Sequence, residues 1–258
     1  MRILALGDIM APSAVDYLCK HLPSFRQTHN IDLVVANGEN ASFLGGIGED
    51  AALRLLDCGV DVITGGNHTM QTRTIYPLLD TGERVLRPIN FPSEVVGYGT
   101  TIVKAKNGVK VLVMNAMGNN LIEPVLDNPI PYIEKALARH KGEYQVAVMD
   151  FHAEATGEKL AIAHIFGEHF AAIWGTHTHV PTADEQVLPN GCGFISDIGA
   201  TAPTGGILGV RADVICARYR TKSPHTYRVA EGAVRAEGAI FQIDETKNTS
   251  TSVTRVTF

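Results

Sequence analysis

Two periods run through this chain. Residues 3–6, 31–36 and 60–63 are short, mostly apolar runs of buried-strand length, and each stops at a glycine-bearing segment. Between them, residues 13–22 place Val15, Leu18, Cys19 and Leu22 at helical spacing, and residues 51–56 form a short amphipathic stretch that stops near Gly59. A strand–helix–strand–helix–strand order predicts a parallel sheet with crossover helices. The pattern then shifts. Residues 100–106 and 109–115 flank Asn107-Gly108, which predicts a type I′ hairpin. Helices are predicted at 129–140 and 158–166, and strands at 145–149 and 170–174. Pro189-Asn-Gly191 marks a turn before 193–196, and residues 239–243 and 252–258 alternate as strands do. Antiparallel pieces after parallel ones predict two packed sheets with helices outside them. No repeat or low-complexity tract divides the sequence, so residues 1–258 read as a single domain. Residues 118–131 read as an exposed loop or a cap.

Composition narrows the classes. The chain is 45% hydrophobic and 19% charged, which are globular values, and 258 residues suffice for a sizeable core. A net charge of −5 argues against a broad basic face for duplex nucleic acid, while leaving a nucleotide substrate open. Cys19, Cys58, Cys192 and Cys216 form no C-x-x-C pair, so neither a zinc ribbon nor a thioredoxin motif is present, and buried thiols are expected rather than disulfides. The sequence opens directly on a strand, with no signal-peptide pattern, and no run approaches membrane-helix length. A soluble, cytoplasmic protein without a membrane partner is the expectation.

The chemistry sits where the apolar runs stop. Gly7-Asp8, Gly38-Glu39-Asn40, Gly65-Gly66-Asn67-His68, Asp150-Phe151-His152 and Gly175-Thr-His-Thr-His179 each follow a predicted strand. Ligands of parallel sheets gather at the carboxyl ends of strands, so these pieces are expected to meet at one edge of one sheet. Any one of them has an ordinary reading: Asp8 as a turn or cap residue, Asn67-His68 as a turn, His152 as a core histidine. His177 and His179 resist such a reading, because i, i+2 spacing on an extended segment sends both imidazoles to one side. Oxygen and imidazole donors together suit two transition-metal ions, iron, manganese, zinc or cobalt, ahead of calcium or magnesium. Two such ions can hold a phosphoryl oxygen and a hydroxide for in-line attack. A metal-dependent phosphoester hydrolase is therefore expected.

The order Asp, Gly-Glu-Asn, Gly-Asn-His, lone His, Gly-Thr-His-Thr-His resembles the calcineurin-like metallophosphoesterase superfamily. Val35-Ala-Asn-Gly-Glu-Asn40, Asp150-Phe-His-Ala-Glu-Ala155 and Gly175-Thr-His-Thr-His-Val180 look more closely like the YmdB-like bacterial phosphodiesterases. The resemblance runs from Met1 to about Gly209. It implies a four-layer α/β/β/α sandwich, a centre of two divalent or trivalent ions with iron or manganese foremost, and hydrolysis of 2′,3′-cyclic nucleotides by metal-bound hydroxide. By position, Asp8 and His179 would bind the first metal and Glu39 would bridge both. Asn67, His152 and His177 would complete the second. Asn40 would join the first metal or touch the substrate phosphate. His68 would protonate the leaving alkoxide or steady the phosphoryl oxygens. The superfamily's Asp-x-His motif is broken here by Ile9 and Met10, and its Gly-Asp motif by Glu39; both departures belong to the narrower family. Homo-oligomers are common in that family.

Other residues fall outside this set. Gly45, Gly46 and Gly48 could cradle a phosphate, and Arg87 and Asn90 could face the cleft, but neither group is assigned. Glu154, Asp184 and Asp197 read as supporting or structural carboxylates. His140, His164, His169 and His225 read as surface or packing residues. Two rival functions stay open: a phosphomonoesterase or nucleotidase on the same site, and a metal- and nucleotide-binding regulatory protein with little turnover.

Overall fold

A computed structural model describes residues 1–42 and 45–258. Its strands are β1 (Arg2–Leu6), β2 (Asp8–Ile9), β3 (Leu33–Asn37), β4 (Val62–Thr64), β5 (Thr100–Lys104), β6 (Lys110–Met117), β7 (Val146–His152), β8 (Ala172–Thr176), β9 (Gln186–Val187), β10 (Gly193–Ile195), β11 (Ala200–Pro203), β12 (Val234–Arg235), β13 (Glu237–Asp244) and β14 (Thr249–Thr257). Its α-helices are α1 (Ala11–Thr28), α2 (Glu49–Asp57), α3 (Tyr76–Thr81), α4 (Pro129–Arg139), α5 (Thr156–Phe166) and α6 (Ala212–Thr221). The fold is mixed α/β. One sheet has the order β14-β13-β1-β3-β4, a second β5-β6-β7-β8-β10-β9, and a small third β12-β11-β2. β1, β3 and β4 run parallel, as do β6, β7, β8 and β10, while β13, β14, β5 and β9 pair antiparallel at the flanks.

Strand alternation divides the core. Ile3, Ala5, Leu33 and Val35 of the first sheet share a cluster with Val111, Val113, Val146, Val148 and Trp174 of the second. The intervening Leu4, Leu6, Val34 and Ala36 pack instead with Val15, Leu18 and Leu22 of α1 and with Ala52 and Leu55 of α2. Leu112, Met114, Ala147 and Met149 pack with Ile133 of α4 and with Ile162 and Phe166 of α5. A period of two on each strand thus feeds two faces, which is why both read as apolar runs.

The structure departs from the sequence pattern in several places. α1 runs through Pro23 to Thr28 instead of stopping at Leu22. Tertiary contacts hold its last turns: Phe25 stacks on Phe258 at 4.0 Å, and Arg26 pairs with Asp61 at 3.0 Å. The 104–110 turn is not type I′. Gly108 has φ 88° but Asn107 is not in the left-handed region, and the Gly108 N–H donates to the Ala105 carbonyl at 2.8 Å. This is a type I turn followed by a left-handed glycine; the Asn107 side chain accepts from the Val109 N–H at 3.2 Å, which favours the right-handed conformation at that residue. β7 extends to His152 rather than ending at Met149. All four cysteines are free. Among the described residues, no helix is long and apolar enough to cross a membrane.

Trp174, the sole tryptophan, lies 5.6 Å from Phe241 in the cluster shared by the two large sheets. Phe241→Ala is expected to lower unfolding free energy by about 3–5 kcal/mol, the range for emptying a buried aromatic site. Urea titration followed by Trp174 fluorescence measures it; a loss under about 1 kcal/mol would show that this junction is not a close-packed core.

Candidate metal centre

Two sheets, not one, supply the site. Asp8 opens β2 just after β1, Glu39 and Asn40 follow β3, and Asn67 and His68 follow β4. His152 closes β7, and His177 and His179 follow β8. The single-edge expectation is corrected accordingly: five of the set follow β1, β3 and β4, with Asp8 on the short β2 of the third sheet, and three come from β7 and β8 of the second. The strand ends approach closely because they carry glycine. A Cβ on Gly66 would overlap the Glu39 carboxylate and the His152 ring.

Glu39, His152 and His177 each present a ligand atom, and the three atoms lie within 4.8 Å of one another. His152 Nε2 is 3.3 Å from Glu39 Oε1, 3.1 Å from His177 Nδ1 and 3.0 Å from Asn67 Oδ1. Beside this group, His179 Nε2 stands 3.5 Å from Asp8 Oδ1. The Asn40 amide links the two parts, donating to Glu39 Oε1 at 3.1 Å and reaching Asp8 Oδ1 at 3.5 Å. Its Oδ1 lies 2.8 Å from His68 Nδ1. All eight residues named from the sequence are therefore neighbours.

The two histidines of Gly175-Thr-His-Thr-His179 converge for a reason other than strand alternation. β8 ends at Thr176, and His177 and His179 have φ of 103° and 63°. Side chains rarely adopt this backbone region, and each such residue costs of order 1–3 kcal/mol. Buried acceptors hold the turn. Asp8 Oδ2 accepts from the His177 N–H at 3.0 Å, and Asp197 Oδ2 accepts from the Thr178 N–H at 3.0 Å and its hydroxyl at 2.8 Å. Asp197 is itself paired with buried Lys159 at 2.9 Å.

A chain of hydrogen bonds fixes the His152 tautomer. Thr176 Oγ1 donates to Asp150 Oδ1 at 2.7 Å, so it can only accept from His152 Nδ1, 2.9 Å away. Nδ1 then carries a proton, and Nε2 is the nitrogen that faces Glu39, Asn67 and His177 and would give up its proton to take a metal. Thr64 and Asn37 also donate to Asp150. Pattern reasoning missed Asn37, Thr64 and Thr176, and named Asp150 only within its strand-end piece. The available signal was a polar residue closing each of three apolar strand runs. Glu154 orients His177, its Oε2 standing 3.2 Å from Nε2.

Electrostatics follow from burial without cations. Asp8, Glu39 and Asp150 are fully buried, and among the described residues only imidazoles form ion-pair contacts with the first two. Burial opposes ionisation of Asp8, but His179 and then His152 more than offset it, holding the carboxyl well below the usual range. Glu39 is lowered too, burial being outweighed chiefly by His152. Asp150 is pushed up by burial to about 6, against the opposing charge of His152 and the hydroxyls of Thr64 and Thr176. Burial also opposes a charged His152, yet Glu39 and Asp8 raise it to about 9, whereas burial and the facing His152 push His177 down to about 4. Burial likewise opposes a charged His179, but Asp8 raises it above its ordinary value. Two imidazoles, His152 and His179, thus stand in for the positive charge that buried carboxylates demand, and a third, His177, faces His152 through a ring nitrogen. A cation answers the carboxylates and separates the imidazoles at once, provided the ligating nitrogens are unprotonated. The mixed N/O donor set fits a transition metal.

Some candidates fall elsewhere. Arg87 donates to the carbonyls of Pro88, Val95 and Val96, and Asn90 donates to those of Met117 and Asp127, so both tie loops together. Gly45 lines the cavity above the cluster, as do Asn40, His68, His177 and His179. The lining includes nothing from 118–131; the outer wall comes from 207–229 and contains His225, expected to lie outside the pattern.

A family model described as "YmdB-like protein" matches residues 4–256. A Bacillus subtilis (strain 168) protein named 2′,3′-cyclic-nucleotide 2′-phosphodiesterase is 36% identical over 256 residues, covering 99% of this chain and 96% of its own. The crystal structure of a hypothetical protein from Thermus thermophilus superposes with a TM-score of 0.92 at 32% identity, over 100% of this chain and 99% of that one. That of a phosphatase from Mycoplasma pneumoniae gives 0.92 at 25% identity, over 100% and 93%.

The hydrogen-bonded chain makes a prediction about the donor set. Thr176→Val removes the hydroxyl between Asp150 and His152, and manganese affinity measured by calorimetric titration should fall roughly 10–100-fold, the usual cost of losing such an orienting partner. Unchanged affinity would show that the hydroxyl does not orient His152.

Proposed function

The chain belongs to the YmdB-like family, and from that premise we propose that it is a phosphodiesterase acting on 2′,3′-cyclic nucleotides through a centre of two metal ions. The observation that carries the reading is the meeting of Glu39, His152 and His177 ligand atoms within 4.8 Å, with Asp8 and His179 paired alongside. Iron or manganese is the expected occupant, zinc or cobalt the lesser alternative. Asp8 and His179 would hold one ion, Asn67, His152 and His177 the other, and Glu39 both. When bound, the ions supply Lewis-acid charge and make a water nucleophilic near neutral pH.

The chain's own residues do the rest. Glu39 and Asp8 keep two negative charges buried behind the cavity-lining Asn40, His68, His177 and His179. The Asp150–Thr176 pair holds His152 with Nε2 toward Glu39. Asn40 accepts from His68 Nδ1, leaving Nε2 without a partner among the described residues, at a cavity-lining position from which it can give a proton to the leaving oxygen. Asn40 also lines that cavity and can touch the substrate phosphate. Wider parts of the reading are an α/β/β/α layering of one domain over 1–258, supported by the alternation of the three core clusters, a cytoplasmic location, and room for self-association.

His68→Ala should cut hydrolysis of a 2′,3′-cyclic nucleotide by about 10²–10⁴-fold with metal content unchanged by elemental analysis. Unaltered turnover would remove His68 from the chemistry. Glu39→Gln should lower occupancy of both ions, since one carboxylate serves each; retention of two ions with full activity would contradict the bridge. A metal-loaded protein that cleaves monoesters and leaves cyclic diesters intact would favour the nucleotidase reading, and one that binds nucleotide with no turnover would favour the regulatory one.

A further inference from the structure

The cavity above the cluster measures about 840 Å³, near the top of the usual range of roughly 300–1,000 Å³ for small-molecule sites. A scissile phosphate and its ribose do not fill it. Its outer wall holds Arg218, Tyr219, Lys222, Tyr227 and Arg228. α6, which carries the first two, has no buried residue, so hydrophobic packing does not account for its position. The chain as a whole is −5, yet three cations gather here. Among the described residues, no carboxylate lies within ion-pair distance of any of the three. The neighbouring Arg211 and Arg235, by contrast, are paired with Asp213 and Glu237. Two of the unpaired cations instead rest on aromatic rings: Arg218 lies 5.2 Å from the Tyr227 centroid and Lys222 lies 5.5 Å from that of Tyr219. Tyr219 is 70% exposed and Tyr227 39%.

Unpaired cations beside exposed aromatic faces, in one cavity with a phosphodiester-cleaving floor, make a groove that takes phosphate on the cations and base on the rings. We infer that residues 207–229 form a second subsite, selecting cyclic phosphodiesters that carry a further phosphate on the 5′ side of the ribose. The inference rests on the phosphodiesterase reading above. The extra phosphate has two sources: a nucleoside 5′-phosphate, or the internucleotide linkage at the 3′ end of a short oligoribonucleotide. In either case Arg218, Lys222 and Arg228 receive the anion, and in the second the rings of Tyr219 and Tyr227 receive the next base.

The test compares kcat/KM of the metal-loaded full chain on three substrates: adenosine 2′,3′-cyclic phosphate, its 5′-phosphorylated form, and a diadenosine dinucleotide ending in a 2′,3′-cyclic phosphate. At least one phosphate-bearing substrate should exceed the first by roughly 10–100-fold, the range of one charge-assisted contact. The ratio should shrink as salt rises. Arg218→Gln with Arg228→Gln should bring it toward one. Tyr227→Ala should lower the dinucleotide ratio more than the 5′-phosphate ratio, since it removes a base-stacking ring while Lys222 and Arg228 still hold the anion. These positions contribute nothing to the core, and a melting curve checks that each variant stays folded. Calorimetry supplies a readout without turnover: adenosine 3′,5′-bisphosphate should bind more tightly than adenosine 3′-phosphate, and the double variant should erase the difference. A wild-type ratio near one, with all three diesters cleaved, overturns the subsite and leaves the phosphodiesterase reading standing. Failure to cleave any diester overturns that reading instead, and equal affinity for the two adenosine phosphates then separately removes the subsite.

Discussion

Three carboxylates with no solvent exposure, Asp8, Glu39 and Asp150, constrain the rest of this molecule. An ionised carboxylate removed from water needs compensation, and among the described residues no lysine or arginine pairs with Asp8 or Glu39. Asp150 is answered by neutral donors, Thr64, Asn37 and Thr176, and its carboxyl rises toward neutrality. Asp8 and Glu39 are answered by imidazoles. The difference assigns different work to the three groups. Asp150 orients, because a hydroxyl that donates to it must accept from His152. Asp8 and Glu39 keep their charge beside the imidazoles of His152 and His179, where a cation can use it.

The fold follows from where such carboxylates can be placed. Parallel strands bring their carboxyl ends to one side, and loops leaving those ends can approach a common point. Here two parallel arrays do so against one another, through a shared cluster containing Trp174 and Phe241. Close approach needs small residues at the strand ends, which is the role of Gly66 against Glu39 and His152. It also needs strained backbone at His177 and His179, held by Asp8 and by the buried Lys159–Asp197 pair. Asp197 thus acts on the site without facing it, through the N–H and hydroxyl of Thr178.

Much of this was legible in the sequence, for identifiable reasons. Buried parallel strands read as apolar runs, so the chain marked its own strand ends, and the ligand-type residues stood directly after them. What could not be read was spatial. Element order predicts two sheets, but nothing in the periodicity says which sheet each ligand-bearing strand joins, because both faces of each are covered. The i, i+2 spacing of His177 and His179 led to the right neighbours by the wrong geometry, since a turn with positive φ and an extended strand present the same spacing. Asn37, Thr64 and Thr176 were overlooked because a single polar residue at the end of an apolar run resembles the start of a loop. Residues 207–229 carried no amphipathic signal: a helix with no buried face leaves no pattern to detect.

That last failure has a physical counterpart. The centre beneath the cavity is built around buried Asp8, Glu39, Asp150 and His152, tied to one another and to their neighbours by hydrogen bonds, and such regions open at higher free energy than exposed ones. The wall is built from a helix outside every core cluster, with long cationic side chains and exposed rings. Rigid positioning suits the reacting phosphate, where small displacements are costly to rate. A loosely anchored wall suits the part of a ligand that varies, because stacking and point-charge contacts tolerate different bases and phosphate positions. The same chain therefore invests burial where geometry must be fixed and exposure where it must adapt, and only the first of these leaves a hydrophobic signature in sequence.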